Sequence, residues 1–126
     1  MDTSTAKALR KTLTKIKAVT AGLVRDARYD TSSAGLSRNA FQRDRGWRKH
    51  KRAVGKLTRM LTKAQVLASL LDSDTRLVIS KLADATRAVT ASCNEFQREK
   101  EWVGQAPLRD QISLIEAARR LTRASQ

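Results

Sequence analysis

An all-α fold, an antiparallel helical bundle with one long basic helix, follows from three observations. Apolar residues recur at alternating steps of three and four along most of the chain, the period of helices that each bury one stripe. Only five glycines and one proline interrupt 126 residues, in a composition dominated by Ala, Leu, Thr and Arg. The polar stretches between periodic segments are short, which favours antiparallel packing of neighbours. The length fits a single domain, residues 1–126. A chain of this size buries a modest core, so added burial through a homodimer is expected. A hydrophobic content of 40% is too high for a disordered basic tail.

The first helix is predicted from Thr5 to Tyr29, with Ser4 or Thr5 as its cap. Its apolar stripe is Ala6, Leu9, Leu13, Ile16, Leu23 and Ala27, with Thr20 filling one step; Lys7, Lys11 and Lys15 line a second face. Residues 29–37, YDTSSAGLS, read as a loop by composition, and Ser37 is the expected N-cap of the next helix. That second helix runs from Arg38 to about Leu71. Asp72-Ser73-Asp74 then offers caps for a third helix with the seam Val78, Leu82, Ala85, Val89, Ser92 with Cys93 alongside, Phe96 and Val103, ending near Gly104. Pro107 suits the first turn of a fourth helix, where its missing N–H is not needed, and Leu108, Ile112, Ile115, Ala118 and Leu121 form the last stripe.

The second helix organises the chain. One face carries Trp47, His50, Val54, Leu57, Leu61, Ala64, Ala68 and Leu71, a seam for lengthwise packing on another helix. The other carries Arg45, Lys49, Arg52, Lys56, Arg59 and Lys63 at the same alternating spacing, a row about 27 Å long at helical rise. Arg38, Arg43, Arg48 and Lys51 thicken it, and no acidic residue falls between Arg45 and Lys63. Solvated helices usually mix signs, because like charges at i,i+4 repel. A single-signed face of this length points to an anionic partner. Gly46 and Gly55 each cost roughly 1 kcal/mol against Ala in a helix interior. Close approach of a partner helix or a phosphate backbone is one reading of them, and plain tolerance is the other.

Charge is unevenly placed. Residues 1–71 hold 17 Lys and Arg against 4 Asp and Glu, a net of +13; residues 72–126 hold 9 against 8, a net of +1. The first half therefore reads as a basic, nucleic-acid-binding helical hairpin and the second as a near-neutral helical hairpin.

No catalytic constellation is recognisable, and no enzyme activity is expected. The single histidine, His50, lies on the apolar seam and the single cysteine, Cys93, beside another apolar stripe, so both read as packed residues. The sequence contains no cluster with metal-ligand spacing, no phosphate-binding glycine loop and no dinucleotide fingerprint, so neither a cofactor nor a small-molecule substrate is expected. One cysteine suits a reducing compartment. The start has no apolar run of signal-peptide length, and no stretch approaches the roughly 18 apolar residues of a membrane span.

Nucleic acid is the best-matched anion, since a membrane-bound helix would place its apolar face in lipid. The aromatics Tyr29, Phe41, Trp47, Phe96 and Trp102 are too few for a platform that stacks successive single-stranded bases. A long straight basic face suits a duplex, and double-stranded RNA is read by shape through phosphates and 2′-hydroxyls. Gln42, Thr58 and Thr62 lie where they can add such contacts.

The order of features over roughly residues 6–71 is a first helix, a tyrosine-containing polar loop (ARYDTSSAGLSRN), a long basic helix and then KLTRMLTKAQVLASLL. This order resembles the B2 proteins of insect nodaviruses, small helical suppressors of RNA silencing. The resemblance implies an antiparallel homodimer whose long basic helices lie along double-stranded RNA and shield it from host processing in the cytoplasm. By position, the RNA-contacting basic residues of that family fall on Arg38, Lys49, Arg52, Lys56 and Arg59. Lys63-Ala64-Gln65-Val66 stands where the family has Lys-Pro-x-Val, so without the proline the second helix is expected to continue to Leu71. The expected function is sequence-independent binding of double-stranded RNA. Two alternatives come from other classes: a cytoskeletal-type helical interaction protein, suggested by the stripe from Ile112 to Leu121, and a basic DNA- or ribosome-associated protein.

Overall fold

A computed structural model describes residues 3–99 and 105–124, and all their side chains except those of 31, 95–99 and 124. These residues form five helices and no strand: α1 (Thr3–Thr31), α2 (Ser33–Leu36), α3 (Ala40–Ser69), α4 (Ser73–Glu99) and α5 (Gln105–Ala124). Helix α1 packs against α3, α4 and α5, while α4 also packs against α3 and α5. One hydrophobic cluster draws on all four long helices.

The predicted stripe of α1 is the buried one. Ala6, Leu9, Leu13 and Ile16 are fully inaccessible, and Leu23 and Ala27 nearly so. Each fully buried Leu or Ile contributes about 1.5–3 kcal/mol relative to exposure. Thr20 occupies its predicted step because its hydroxyl donates to the Ile16 carbonyl at 2.9 Å, satisfying the polar atom within the helix. The helix starts earlier than expected, which places Ser4 and Thr5 inside its first turn and not at its cap.

The stretch read as a loop contains the one-turn helix α2. Ser32 caps it, its side chain accepting from the Gly35 N–H at 3.2 Å. Gly35 is required at this corner, because a Cβ there would collide with the Tyr29 carbonyl and lie 2.7 Å from the Asp30 Cα. Ser37 ends α2 and does not start α3. The cap of α3 is Asn39: its side chain accepts from Gln42 N at 2.9 Å, and the Gln42 side chain accepts from Asn39 N at 3.0 Å. This reciprocal capping box satisfies two orphan donors, where Ser37 would satisfy at most one. Helix α3 then runs 30 residues to Ser69, with Leu70 as its C-cap. Asp72 performs the expected capping of α4, accepting from Thr75 N at 2.7 Å.

The predicted stripes of α4 and α5 are buried in part: Leu82, Val89, Ser92 and Cys93 of α4 and Ile115 and Ala118 of α5 are in the core as expected, and polar residues take further core positions. In α4 the inaccessible positions are Thr75, Ile79, Leu82, Ala83, Thr86 and Val89, with Cys93 at 1%, while Val78 and Ala85 are only half-buried. In α5 they are Gln111, Ile115, Ala118 and Thr122, with Leu108, Ile112 and Leu121 at the flank. Two of these polar core positions are partnered across the core. Gln111 Nε2 donates to Thr20 Oγ1 at 3.0 Å and to Thr86 Oγ1 at 2.8 Å, a polar layer joining α1, α4 and α5 inside the core. Pro107 does fall in the first turn of α5. The predicted seam positions Phe96 (its side chain) and Val103, and the predicted helix end at Gly104, lie outside the described residues.

Candidate nucleic-acid interface

The seam of α3 faces inward. His50, Leu57, Leu61, Ala64 and Ala68 are buried, and Trp47, Val54 and Leu71 are half-buried. Met60 joins them at 9% exposure. Both α1 and α4 of the same chain cover this seam. The seam is therefore covered within a single copy, and it leaves a dimer no free length of this face to use.

The seam's N-terminal end is closed by an aromatic stack. The Trp47 and His50 rings lie 5.5 Å apart at an interplanar angle of 19°. His50 Nε2 hydrogen-bonds the Asn94 side-chain oxygen, and Lys51 Nζ sits 5.2 Å from the Trp47 ring centroid. His50 is thus a packed, partnered residue, as is the buried Cys93.

Opposite the seam, Arg45, Lys49, Arg52, Lys56, Arg59 and Lys63 are all exposed. The helix brings these six side chains onto one face. Lys49 lies 3.7 Å from Asp26 of α1, a loose pair between solvated groups that leaves the cation accessible. Arg48, at the flank, pairs with Asp44 at 2.9 Å. Among the described residues, the other five members of the row make no ion pair.

Arg38 is placed differently from the other predicted contacts. Its Nη2 lies 2.6 Å from Asp30 Oδ1, its Nε donates to the Gly35 carbonyl at 3.0 Å, and its guanidinium sits 5.6 Å from the Tyr29 ring centroid. It clamps the corner between α1 and α3, and its donors point into the protein's own structure. Gly46 belongs to this clamp, since a Cβ there would lie 2.9 Å from Arg38 Nη1. Gly55 has no such neighbour; its Cβ would meet only Arg59 Nη1, at an ordinary 3.6 Å.

The polar helpers are partly engaged. Thr58 Oγ1 donates to the Val54 carbonyl at 3.0 Å and Thr62 Oγ1 to the Thr58 carbonyl at 3.2 Å. Their hydroxyl protons are taken, so these oxygens can accept from a 2′-hydroxyl but cannot donate to a phosphate. Gln42 uses its oxygen in the capping box and keeps its amide N–H groups.

At the N-terminal end of the row, Phe41, Gln42, Arg45, Lys49 and Arg52 border an open recess of about 630 Å³, with Arg38 and Gly46 at its side. Phe41 is 68% exposed there. Read only as one of few aromatics, it was not legible as part of this face. Its i,i+4 relation to Arg45 is the signal that places it there.

Among the described residues, no three His, Cys, Asp or Glu side chains gather as a metal site, and no helix is long and apolar enough to cross a membrane. No known protein family, curated protein or solved structure matches the chain.

Proposed function

We propose that this protein binds double-stranded RNA without regard to sequence, with α3 lying along the duplex and Arg45, Lys49, Arg52, Lys56, Arg59 and Lys63 meeting its phosphates. One observation carries this reading: six exposed cations share one face of a 30-residue helix whose opposite face is buried in the core. The charges repel one another until an anion neutralises them. A polyanion with condensed counterions gains most, because each phosphate contact releases ions to bulk. The row is about 27 Å long at helical rise, which suits an extended duplex and far exceeds a small anion. Arg38, paired with Asp30, holds the corner that aims α3.

The resemblance noted above extends the proposal to a role: shielding duplex RNA from silencing enzymes in the cytoplasm of a host cell. The helices are read as an antiparallel bundle joined by short connectors. A symmetric dimer belongs to the same proposal, but it needs apolar surface other than the seam. Val66, Leu70 and Leu77, each more than half exposed, are what remains at the junction of α3 and α4.

Electrophoretic comparison of duplex RNA, duplex DNA and single-stranded RNA of equal length tests the proposal. Duplex RNA is expected to bind tightest, with little change between sequences. Equal or tighter binding to the single strand overturns it.

A further inference from the structure

Phe41 stands on α3 about 40° round the helix from Arg45 and one turn before it, in line with the basic row and opposite the buried seam. A large apolar ring that is 68% exposed on a cationic face is poorly placed for solvation or for packing within this chain. Around it in the recess lie Gln42, Arg45, Lys49 and Arg52, all exposed. A flat apolar face beside guanidinium, ammonium and amide donors is complementary to a nucleobase with its phosphate. The ring stacks on the base, the cations take the phosphate, and the amide N–H meets a base or sugar oxygen.

Base pairs inside a duplex have both faces covered by their neighbours. Only a terminal base presents its face. Phe41 falls one helical turn, about 6 Å, past Arg45, the first cation of the row, which is where a ring would meet the end of a duplex held by that row.

Resting on the duplex-binding reading above, we propose that Phe41 stacks on the exposed nucleobase at the end of an RNA duplex, so that the protein seats preferentially at duplex termini. Val66 and Leu70, exposed beyond the other end of the row, have no ring with which to do the same.

The test uses one RNA stem of about 20 base pairs, longer than the ~16 pairs spanned by a shape-reading module. It is prepared with open blunt ends, or with both ends sealed by ethylene-glycol linkers that cover the terminal bases. The wild type is expected to bind the open stem at least about fivefold tighter, the lower bound for stacking one base on an aromatic side chain. Phe41→Leu keeps an apolar side chain but no ring, and should bring open-stem affinity down to the sealed-stem value while leaving the sealed stem unchanged. Phe41→Trp should retain the preference. Equal wild-type affinity for both stems overturns the inference and leaves duplex binding standing, as does a Phe41→Leu variant that weakens both alike. Failure to bind either stem overturns the duplex reading and this inference with it.

Discussion

Arg38 and Asp30 close an ion pair of 2.6 Å across the corner that joins the first helix to the long basic one, with Asp30 only 7% exposed. A charged hydrogen bond in such a place is worth roughly 1.5–3 kcal/mol, and removing the cation leaves the carboxylate without this partner. Arg38→Gln is therefore expected to destabilise the fold by about 2 kcal/mol. Arg52→Gln, on the exposed row, should stay within about 0.5 kcal/mol. Urea denaturation of the two variants checks this. Equal stability would place Arg38 with the solvated cations.

The polar layer inside the core should behave as a coupled unit. Thr86→Val removes one acceptor of the buried Gln111 amide, at a cost of about 1–3 kcal/mol. With Gln111→Leu already present, that donor is gone, and the same change should cost much less. The expected coupling in a double-mutant cycle is at least about 1 kcal/mol. Strictly additive effects would mean that the hydrogen bond contributes nothing.

The glycines should separate by position. Gly35→Ala forces a Cβ into the Tyr29 carbonyl and should cost more than 2 kcal/mol, on the order of other core overpacking changes. Gly55→Ala meets no close neighbour and should add about 1 kcal/mol of stability from helix propensity alone. Its affinity for duplex RNA should stay within about twofold of wild type. A stable Gly55→Ala variant with strongly reduced affinity would show instead that a phosphate backbone comes close at that point.

These contrasts mark what the sequence made legible. The stripe of α1 was readable because Leu, Ile and Ala occupy nearly every step, and the basic row because charge at alternating spacing needs no tertiary information. The faces of α4 and α5 were legible only in part, because Thr75, Thr86, Gln111 and Thr122 take core positions beside Leu82, Val89, Ile115 and Ala118, and a pattern built on apolar residues steps over them. The meeting of Gln111 with Thr20 and Thr86 gives two of those positions a partner across the core, and Thr122 donates to the Arg119 carbonyl within its own helix. Arg38 was assigned to the RNA-contacting set by its position in the resemblance; its pairing with Asp30 was not legible, because Asp30 lies across a chain reversal, at no helical spacing from it. The Asn39–Gln42 capping box was visible in the sequence, but Ser37 drew the assignment two residues early.

The dimer is open to a direct measurement. Sedimentation at micromolar concentration should show a dimer that Leu70→Lys and Leu77→Lys together convert to a monomer, since the seam itself is covered within one copy. A wild-type monomer with full RNA affinity would remove the dimer from the account and leave duplex binding intact.

The central claim, that the exposed row of α3 holds duplex phosphates, is tested most directly by a salt titration of duplex-RNA affinity for the wild type and the Arg52→Gln/Lys56→Gln variant. Both side chains are exposed opposite the seam, so helicity by circular dichroism should be unchanged. By analogy with duplex DNA, each lost phosphate contact flattens the slope of log affinity against log salt by nearly one unit. The double variant is expected to bind all duplex sequences more weakly, with a slope shallower by up to about two units. A folded double variant that keeps wild-type affinity and slope would contradict the claim and leave the row as a solvated helix face.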